Sequence, residues 1–561
     1  MTSIPKTMLA WQLTGAGLER FGVKDKPARL PMPAYNANEL LMKVEAIGLC
    51  FSDVKLIKAG EQHPRVVVEG LAETPVIPGH EAVLTVVGVG KNLESRFKVG
   101  QRYIIQADIY YHGINLAYGY AIDGGMAQYS VMTEPVIEGD EGCYLLPISD
   151  KLAAAEAALI EPWTCVIAAY RIAARTRLAT GGSVHIVGDG TETGHTLKGL
   201  LLRTNPPKHL IVSRLAGNLL EEIETFGQSV GIPVERREGT AGTADDLIVV
   251  GKHSAEDIGR LAAQLKKNGV FCLAGPYTGC EVMLDVGRIH YENWRYVGTT
   301  GLELAAAYET NTRSTLLPGG SVWFPGGAGA MGQMHVQLAI EQDQPPRKIV
   351  VTDIDIARMA KLVARLQRKA DEKRISLVTF NPHTFENNDA FHARLLEEAS
   401  GGFDDIVVMV PSTALIADAM RLLGQNGVMN IFAGIPAGSG AVLDIGRIAS
   451  AGHRYVGSSG SGMNDIRYTL ELTEAGKLSP VYALAAVGGM NALKEGIAGV
   501  MNARFAGKTV IYPHAVEMPL VAVEELGTIC SEAGARLGNG ELLTREAEDA
   551  LRAKWEKATA P

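Results

Sequence analysis

One cysteine, one histidine and two carboxylates, far apart in the chain, together make a metal-ligand set. Cys50 lies in Gly48-Leu49-Cys50-Phe51-Ser52-Asp53, the pair His80-Glu81 follows Pro78-Gly79, and Glu161 sits in Leu159-Ile160-Glu161-Pro162. Thiolate, neutral imidazole and carboxylate are the donors of a catalytic zinc. No local finger or ribbon pattern is present, so a fold must gather these groups from distant segments. Adjacent residues of a regular strand face opposite ways. His80 and Glu81 therefore reach one ion only if the backbone turns, and Pro78-Gly79 offers a place for that turn.

A second candidate is rich in glycine. The apolar run Val322-Trp323-Phe324-Pro325 leads into Gly327-x-Gly329-x-x-Gly332, in which Ala330 and Met331 fill the intervening positions, and then into a helix-compatible stretch. Such glycines permit a tight turn, close approach of backbone to a pyrophosphate and close helix packing, while the helix start offers N–H donors. The next apolar run, Lys348 to Thr352, ends in Asp353, 21 residues after Gly332. A carboxylate there accepts the ribose hydroxyls of NAD and repels the 2′-phosphate of NADP, so NAD is favoured. An upstream turn, Gly188-x-Gly190-x-x-x-Gly194, has one residue too many, and Arg214 stands where the acid belongs. It reads either as an empty structural copy or as a second nucleotide site suited to NADP.

The two turns belong to a repeat. Asp245-Asp246-Leu247-Ile248-Val249-Val250 returns as Asp404-Asp405-Ile406-Val407-Val408-Met409. Leu284-Asp285-Val286-Gly287-Arg288-Ile289 returns as Leu443 to Ile448, and Arg295-Tyr296-Val297-Gly298 as Arg454 to Gly457, all at an offset of 159 residues. A constant offset marks duplication of a domain. Apolar strands alternating with helical patterns give parallel sheets of βαβ units. Residues 1–155, by contrast, show short alternating runs broken by Gly, Pro and Asn, the pattern of a β-rich domain.

With 561 residues the chain exceeds one core. A net charge of −9 without a basic run speaks against nucleic acid, and no apolar run approaches the length of a membrane helix. The six scattered cysteines suggest no disulfide framework, and the N-terminus lacks a signal-peptide core, so a cytoplasmic location is expected.

The segments around Cys50 and His80-Glu81, with Val99-Gly100-Gln101-Arg102, Gly124-Gly125-Met126-Ala127, Ile160-Glu161-Pro162 and the turn from Gly326 to Gly332, stand in an order that resembles the zinc-dependent medium-chain alcohol and polyol dehydrogenases, notably the sorbose-phosphate reductase-like branch. The resemblance implies an α/β chain. A GroES-like catalytic domain would span residues 1–155, followed by two tandem Rossmann-like doubly wound modules: 156–315, read as degenerate for its irregular turn, and 316–475, which would bind NAD. Residues 476–561 would return to the catalytic domain and end in a helical tail. It further implies that Cys50, His80, Glu81 and Glu161 hold zinc, with Ser52 passing the proton, and that two or four chains assemble. Lys55 replaces the histidine that ends the proton relay in many relatives, and the four-cysteine structural zinc is absent. The expected reaction moves a hydride between NAD and a secondary alcohol or ketone of a polyol, sugar or sugar phosphate. A cofactor-retaining epimerase or lyase, and a non-catalytic nucleotide sensor, are the alternatives. The aromatic stretch from Tyr110 to Tyr120 reads either as a cleft wall or as a self-packed loop.

Overall fold

A computed structural model describes residues 4–239 and 242–556. They form two compact units. One contains the residues up to 167, 329–334 and those from 460 onward; the other contains 168–328 and 335–459. Most of the two modules expected at 156–315 and 316–475 thus falls in one unit, while 156–167, 329–334 and 460–475 stand in the other. Among the described residues no helix is long and apolar enough to cross a membrane.

The first unit is built on a sheet whose centre is the ten-residue strand Leu40–Leu49. This strand is almost wholly buried, as expected where both faces are covered. Glu81–Val89 pairs antiparallel on one side of it and Lys508–Tyr512 on the other. The register sets Gly48 opposite both Glu81 and Val510, and Leu49 opposite Thr509. The strand Leu484–Gly489 extends the sheet beyond Lys508–Tyr512.

The C-terminal helix Arg545–Trp555, which shows no chemistry in its sequence, ties this unit together. The fully buried Glu548 accepts the N–H groups of Ala154 and Ala155 at 2.6 and 2.7 Å and the hydroxyl of Tyr512 at 2.7 Å. It satisfies donors at the start of the helix Ala154–Ala158, which has no side-chain cap of its own.

The second unit carries two six-stranded parallel sheets with one strand order. In the first, Val234–Arg237, His209–Ser213, Ser183–Val187, Ala244–Val250, Leu265–Ala274 and Arg295–Thr299 lie side by side. In the second the order is Ser376–Phe380, Lys348–Thr352, Ser321–Pro325, Phe403–Val408, Leu423–Ile431 and Arg454–Val456. Both read 3-2-1-4-5-6, the doubly wound dinucleotide-binding order. The copies meet about an internal two-fold: Glu281–Asp285 pairs antiparallel with its own repeat, Gly440–Asp444, with Glu281 opposite Asp444 and Asp285 opposite Gly440. Equivalent glycines allow the close approach. A Cβ on Gly287 would meet Pro436 O at 2.1 Å, and one on its repeat Gly446 would meet Tyr277 O at 2.0 Å.

The copies differ at the first crossover. In the second, Ser321–Pro325 runs through the glycine turn into the helix Ala330–Glu341. In the first, no helix lies between Ser183–Val187 and His209–Ser213.

Replacing Glu548 by Ala leaves two buried N–H groups and one buried hydroxyl without an acceptor. It should lower the unfolding free energy by about 3 kcal/mol, and denaturant titration reads this directly. A loss below about 1 kcal/mol would show that Glu548 is not the tie.

Candidate active site

The strand Leu40–Leu49 ends at Cys50, which caps the helix Phe51–Ala59. The turn before His80 is real: Gly79 has φ of 100°, and a Cβ there would strike Met126 Cγ at 2.8 Å. His80 therefore precedes the strand Glu81–Val89 instead of alternating with Glu81 along it. Cys50 Sγ, a ring nitrogen of His80 and a carboxylate oxygen of Glu81 come within 4.8 Å of one another.

Asp53 organises the group. One of its oxygens accepts the N–H of Cys50 at 2.9 Å, and the other lies 3.2 Å from His80 Nδ1. With Nδ1–H turned to Asp53, Nε2 of His80 is free for a metal, the arrangement by which outer carboxylates orient ligating imidazoles. Burial disfavours the imidazolium, yet the charge of Asp53, with Tyr120 and Cys50, outweighs it and holds the His80 pKa well above its usual range in the metal-free protein.

Glu81 is fully buried, and one oxygen sits 2.5 Å from Nζ of the buried Lys508. Burial opposes the charge on Lys508, but the Glu81 carboxylate prevails and raises its pKa. The other oxygen, Oε2, is buried without a hydrogen-bond partner. Glycine at position 48 leaves it room, since a Cβ there would lie 2.1 Å away. A buried carboxylate oxygen without a partner, beside a thiol and an imidazole, fits a divalent soft-to-borderline cation. Glu161, on the helix Ile160–Ala168, stands outside the tightest trio. Burial first, and then the Glu81 carboxylate, raise its pKa to about 7 against the pull of His80 and Lys508. Cys165, one turn further on, senses Glu161 and Cys50, and burial pushes its thiol up.

Ser52 is half-buried at the second position of the helix Phe51–Ala59. Of the aromatic stretch, Tyr118 packs in the core with its hydroxyl 3.1 Å from Ser130, whereas Tyr120 lies against His80 with ring centres 5.8 Å apart. Beyond Tyr120 comes a basic rim. His63 stacks on the tyrosine at 5.1 Å, and the Arg65 guanidinium lies 5.5 Å from its ring centre while bonding Asp108 at 2.8 Å. The His63 pKa is lowered by burial and by the charges of Arg65 and Lys55. Asp53, Arg65 and Lys508 went unnoticed as site residues in the sequence, whereas Tyr120 belongs to the stretch read there as either a cleft wall or a self-packed loop. Only Asp53 leaves a signal, three residues after a cysteine at a helix start.

In the second sheet, Gly327 admits no side chain, since a Cβ would meet Phe324 Cβ at 2.8 Å and Val351 Cγ1 at 2.9 Å. Gly329 accepts the N–H of Gln333 at 2.9 Å, and Ala330, Met331 and Gly332 form the first turn of the helix. Asp353 follows the strand Lys348–Thr352 and is turned to the glycine loop, with Oδ2 accepting Ala328 N–H at 3.2 Å. In the first sheet, Asp189 fills the corresponding turn, taking the N–H groups of Thr191 and Lys252 at 2.9 and 2.8 Å.

Residues 36–138 match the profile of the alcohol dehydrogenase GroES-like domain. The chain is 24% identical to mannitol-1-phosphate 5-dehydrogenase of Aliivibrio fischeri over 515 residues, covering 91% of this chain and 89% of the relative. It is 23% identical to L-sorbose 1-phosphate reductase of Klebsiella pneumoniae over 487 residues, covering 86% and 84%. Its fold resembles that of 2R,3R-butanediol dehydrogenase from Bacillus subtilis, with a TM-score of 0.51 at 14% identity over 90% of this chain and 99% of that one. A GroES-like domain followed by doubly wound sheets defines a medium-chain dehydrogenase. The domain match and the full-length relatives support an enzyme of the zinc-dependent alcohol and polyol dehydrogenase kind.

Zinc entering this cluster must displace the proton that Asp53 helps hold on His80, along with that of the Cys50 thiol. Metal-free protein titrated with zinc in weak buffer should release protons. Its apparent affinity should weaken about tenfold per pH unit for each proton displaced. Protein as purified should hold about one zinc per chain, and the Cys50→Ala, His80→Ala double variant none. Full occupancy in that variant would remove the assignment.

Proposed function

We propose that the protein oxidises a secondary alcohol of a polyol phosphate, or reduces the matching ketose phosphate, with zinc and NAD. The observation that carries this reading is the convergence of Cys50, His80 and Glu81 beside Tyr120, with the cations Arg65 and Lys55 around His63 beyond the tyrosine. In a chain of net charge −9 that local cation excess is suited to a phosphate. The full-length relatives named for mannitol 1-phosphate and sorbose 1-phosphate point the same way.

Cys50, His80 and Glu81 would hold the zinc, with Glu161 as a fourth ligand and second carboxylate, and the metal would supply Lewis acidity at the substrate oxygen while the nicotinamide carries the hydride. Ser52, half-buried, would relay the proton, accepting that of the substrate hydroxyl as it releases its own towards solvent in oxidation, and the reverse in reduction. Asp53 holds the Nδ1 side of His80 and so fixes the ring's angle, and Lys508 balances the buried charge of Glu81. The Tyr120 ring offers an apolar face to sugar C–H groups. The glycine turn from Gly327 to Gly332 presents backbone N–H groups to the pyrophosphate, and Asp353 accepts the ribose hydroxyls. The first sheet, lacking the helix after its glycine turn and with Asp189 occupying the donors, serves as architecture. Assembly into dimers or tetramers belongs to the same proposal and is read by light scattering.

A panel of hexitols and hexitol phosphates, assayed for NAD reduction with zinc present, tests the substrate class. Turnover is expected with the phosphates, and Arg65→Gln should raise their KM about 10- to 100-fold, the loss of one charge-assisted hydrogen bond, with kcat little changed. Equal activity on free hexitols, unaffected by the substitution, would refute the phosphate reading.

Asp353→Ala should weaken NAD binding and narrow the preference over NADP by roughly tenfold or more, since an acceptor of the ribose hydroxyls and a repulsive charge vanish together. A wild-type preference for NADP would be incompatible with this role.

A further inference from the structure

The internal two-fold of the second unit brings one pair of repeated residues to a single cavity. Arg295 and Arg454 occupy the same position in the two copies, and both line a space of about 130 Å³ together with Arg175, Asn268 and Asn293. That is several times the volume of one water. None of these residues belongs to the metal cluster or the glycine turn.

The two arginines are unusual in charge as well as place. Arg295 is 7% exposed and Arg454 3%. Their terminal nitrogens donate only to backbone carbonyls: Arg295 to those of Arg175, Tyr308 and Thr310, Arg454 to those of Thr312, Arg313 and Ile172. The Nε–H of each is buried with no partner. The nearby acids are already engaged. Asp246 pairs with Arg175 at 2.7 Å and Asp405 with Arg313 at 2.5 Å, again as equivalents in the two copies. Among the described residues neither Arg295 nor Arg454 has a carboxylate partner. Burial, then the charges of Arg295 and Arg313, push the pKa of Arg454 down to about 10.

Two buried cations of one sign, left uncompensated, are costly unless an anion joins them. Guanidinium groups match tetrahedral oxyanions well, and such an anion has two-fold axes of its own, so it can present one oxygen to each Nε–H. We propose that this cavity binds a phosphate-sized dianion between Arg295 and Arg454, either free phosphate or the phosphate of a small phosphomonoester.

The rival is a clasp, in which the arginines only tie carbonyls. The full-length chain is titrated calorimetrically, in phosphate-free buffer at constant ionic strength, with inorganic phosphate and separately with glycerol 3-phosphate. One site per chain that depends on Arg295 and Arg454 is expected, apart from any binding that depends on Arg65. Tighter binding of phosphate assigns the free ion, and tighter binding of the ester assigns a phosphomonoester. At a hundredfold excess over Kd the melting temperature should rise about 5 °C. Arg295→Met and Arg454→Met should each weaken binding at least tenfold while zinc content and turnover persist, and Arg454→Lys, which keeps the charge, serves if the methionine variants do not fold. Absence of saturable binding to the wild type overturns the proposal. So does binding that survives in both arginine variants and disappears in Arg65→Gln.

Discussion

The strand Leu40–Leu49 must be held from both sides before any site exists. One neighbour, Glu81–Val89, follows closely in sequence, but the other, Lys508–Tyr512, arrives roughly 460 residues later, Thr509 lying opposite Leu49. Loop-closure entropy grows only logarithmically with length, so so long an excursion is affordable. The register then does the chemistry's positioning. Glu81 faces Gly48, whose missing side chain leaves space for the carboxylate, and Lys508 falls beside the end of the strand, where Cys50 begins the helix. A one-residue slip of the returning strand would turn Lys508 to the other face and leave a buried carboxylate without its counter-charge.

The second unit obeys a different constraint, that of an isologous interface folded into a single chain. In a two-fold contact, residue i touches j and j touches i. Here Gly298 approaches Ala449 while its repeat, Gly457, approaches His290, the repeat-equivalent of Ala449. Continuous burial across the contact, from Leu284 and Tyr296 to Leu443 and Tyr455, makes the two sheets one core. This explains why the expected boundary near residue 315 separates no compact units: the duplicated modules complete one another's apolar surface.

Much of this was legible in the sequence because it rests on local signals. Apolar runs with a fixed 159-residue offset disclose the two sheets, and Pro78-Gly79 before His80-Glu81 marks a turn whose φ the structure supplies. What stayed hidden depends on long-range register. Lys508 follows a glycine like any surface lysine, and only the strand pairing buries it against Glu81. Glu548 looks like one acid among several on a polar helix until Ala154, Ala155 and Tyr512 meet it. Arg295 and Arg454 were visible as a repeat mark, but their lack of carboxylate partners follows from which groups the two-fold brings together.

The divergence of the copies follows the same seam. From the first strand to the fourth, the first copy takes 61 residues (183 to 244) and the second 82 (321 to 403), whereas from the fourth strand onward the copies keep step at 159. The half that builds the two-fold contact cannot shorten without breaking its partner's packing, because each residue there is matched by an equivalent across the axis. The antiparallel strand pair across the axis, Glu281–Asp285 with Gly440–Asp444, lies outside the half bearing the glycine turn. Its helices matter only where a dinucleotide needs the N–H groups at a helix start. One copy has kept that helix, and in the other Asp189 accepts the N–H of Thr191 in the turn and that of Lys252 after the fourth strand. A duplicated cofactor domain thus divides its labour along the line between residues fixed by symmetry and residues fixed by a ligand.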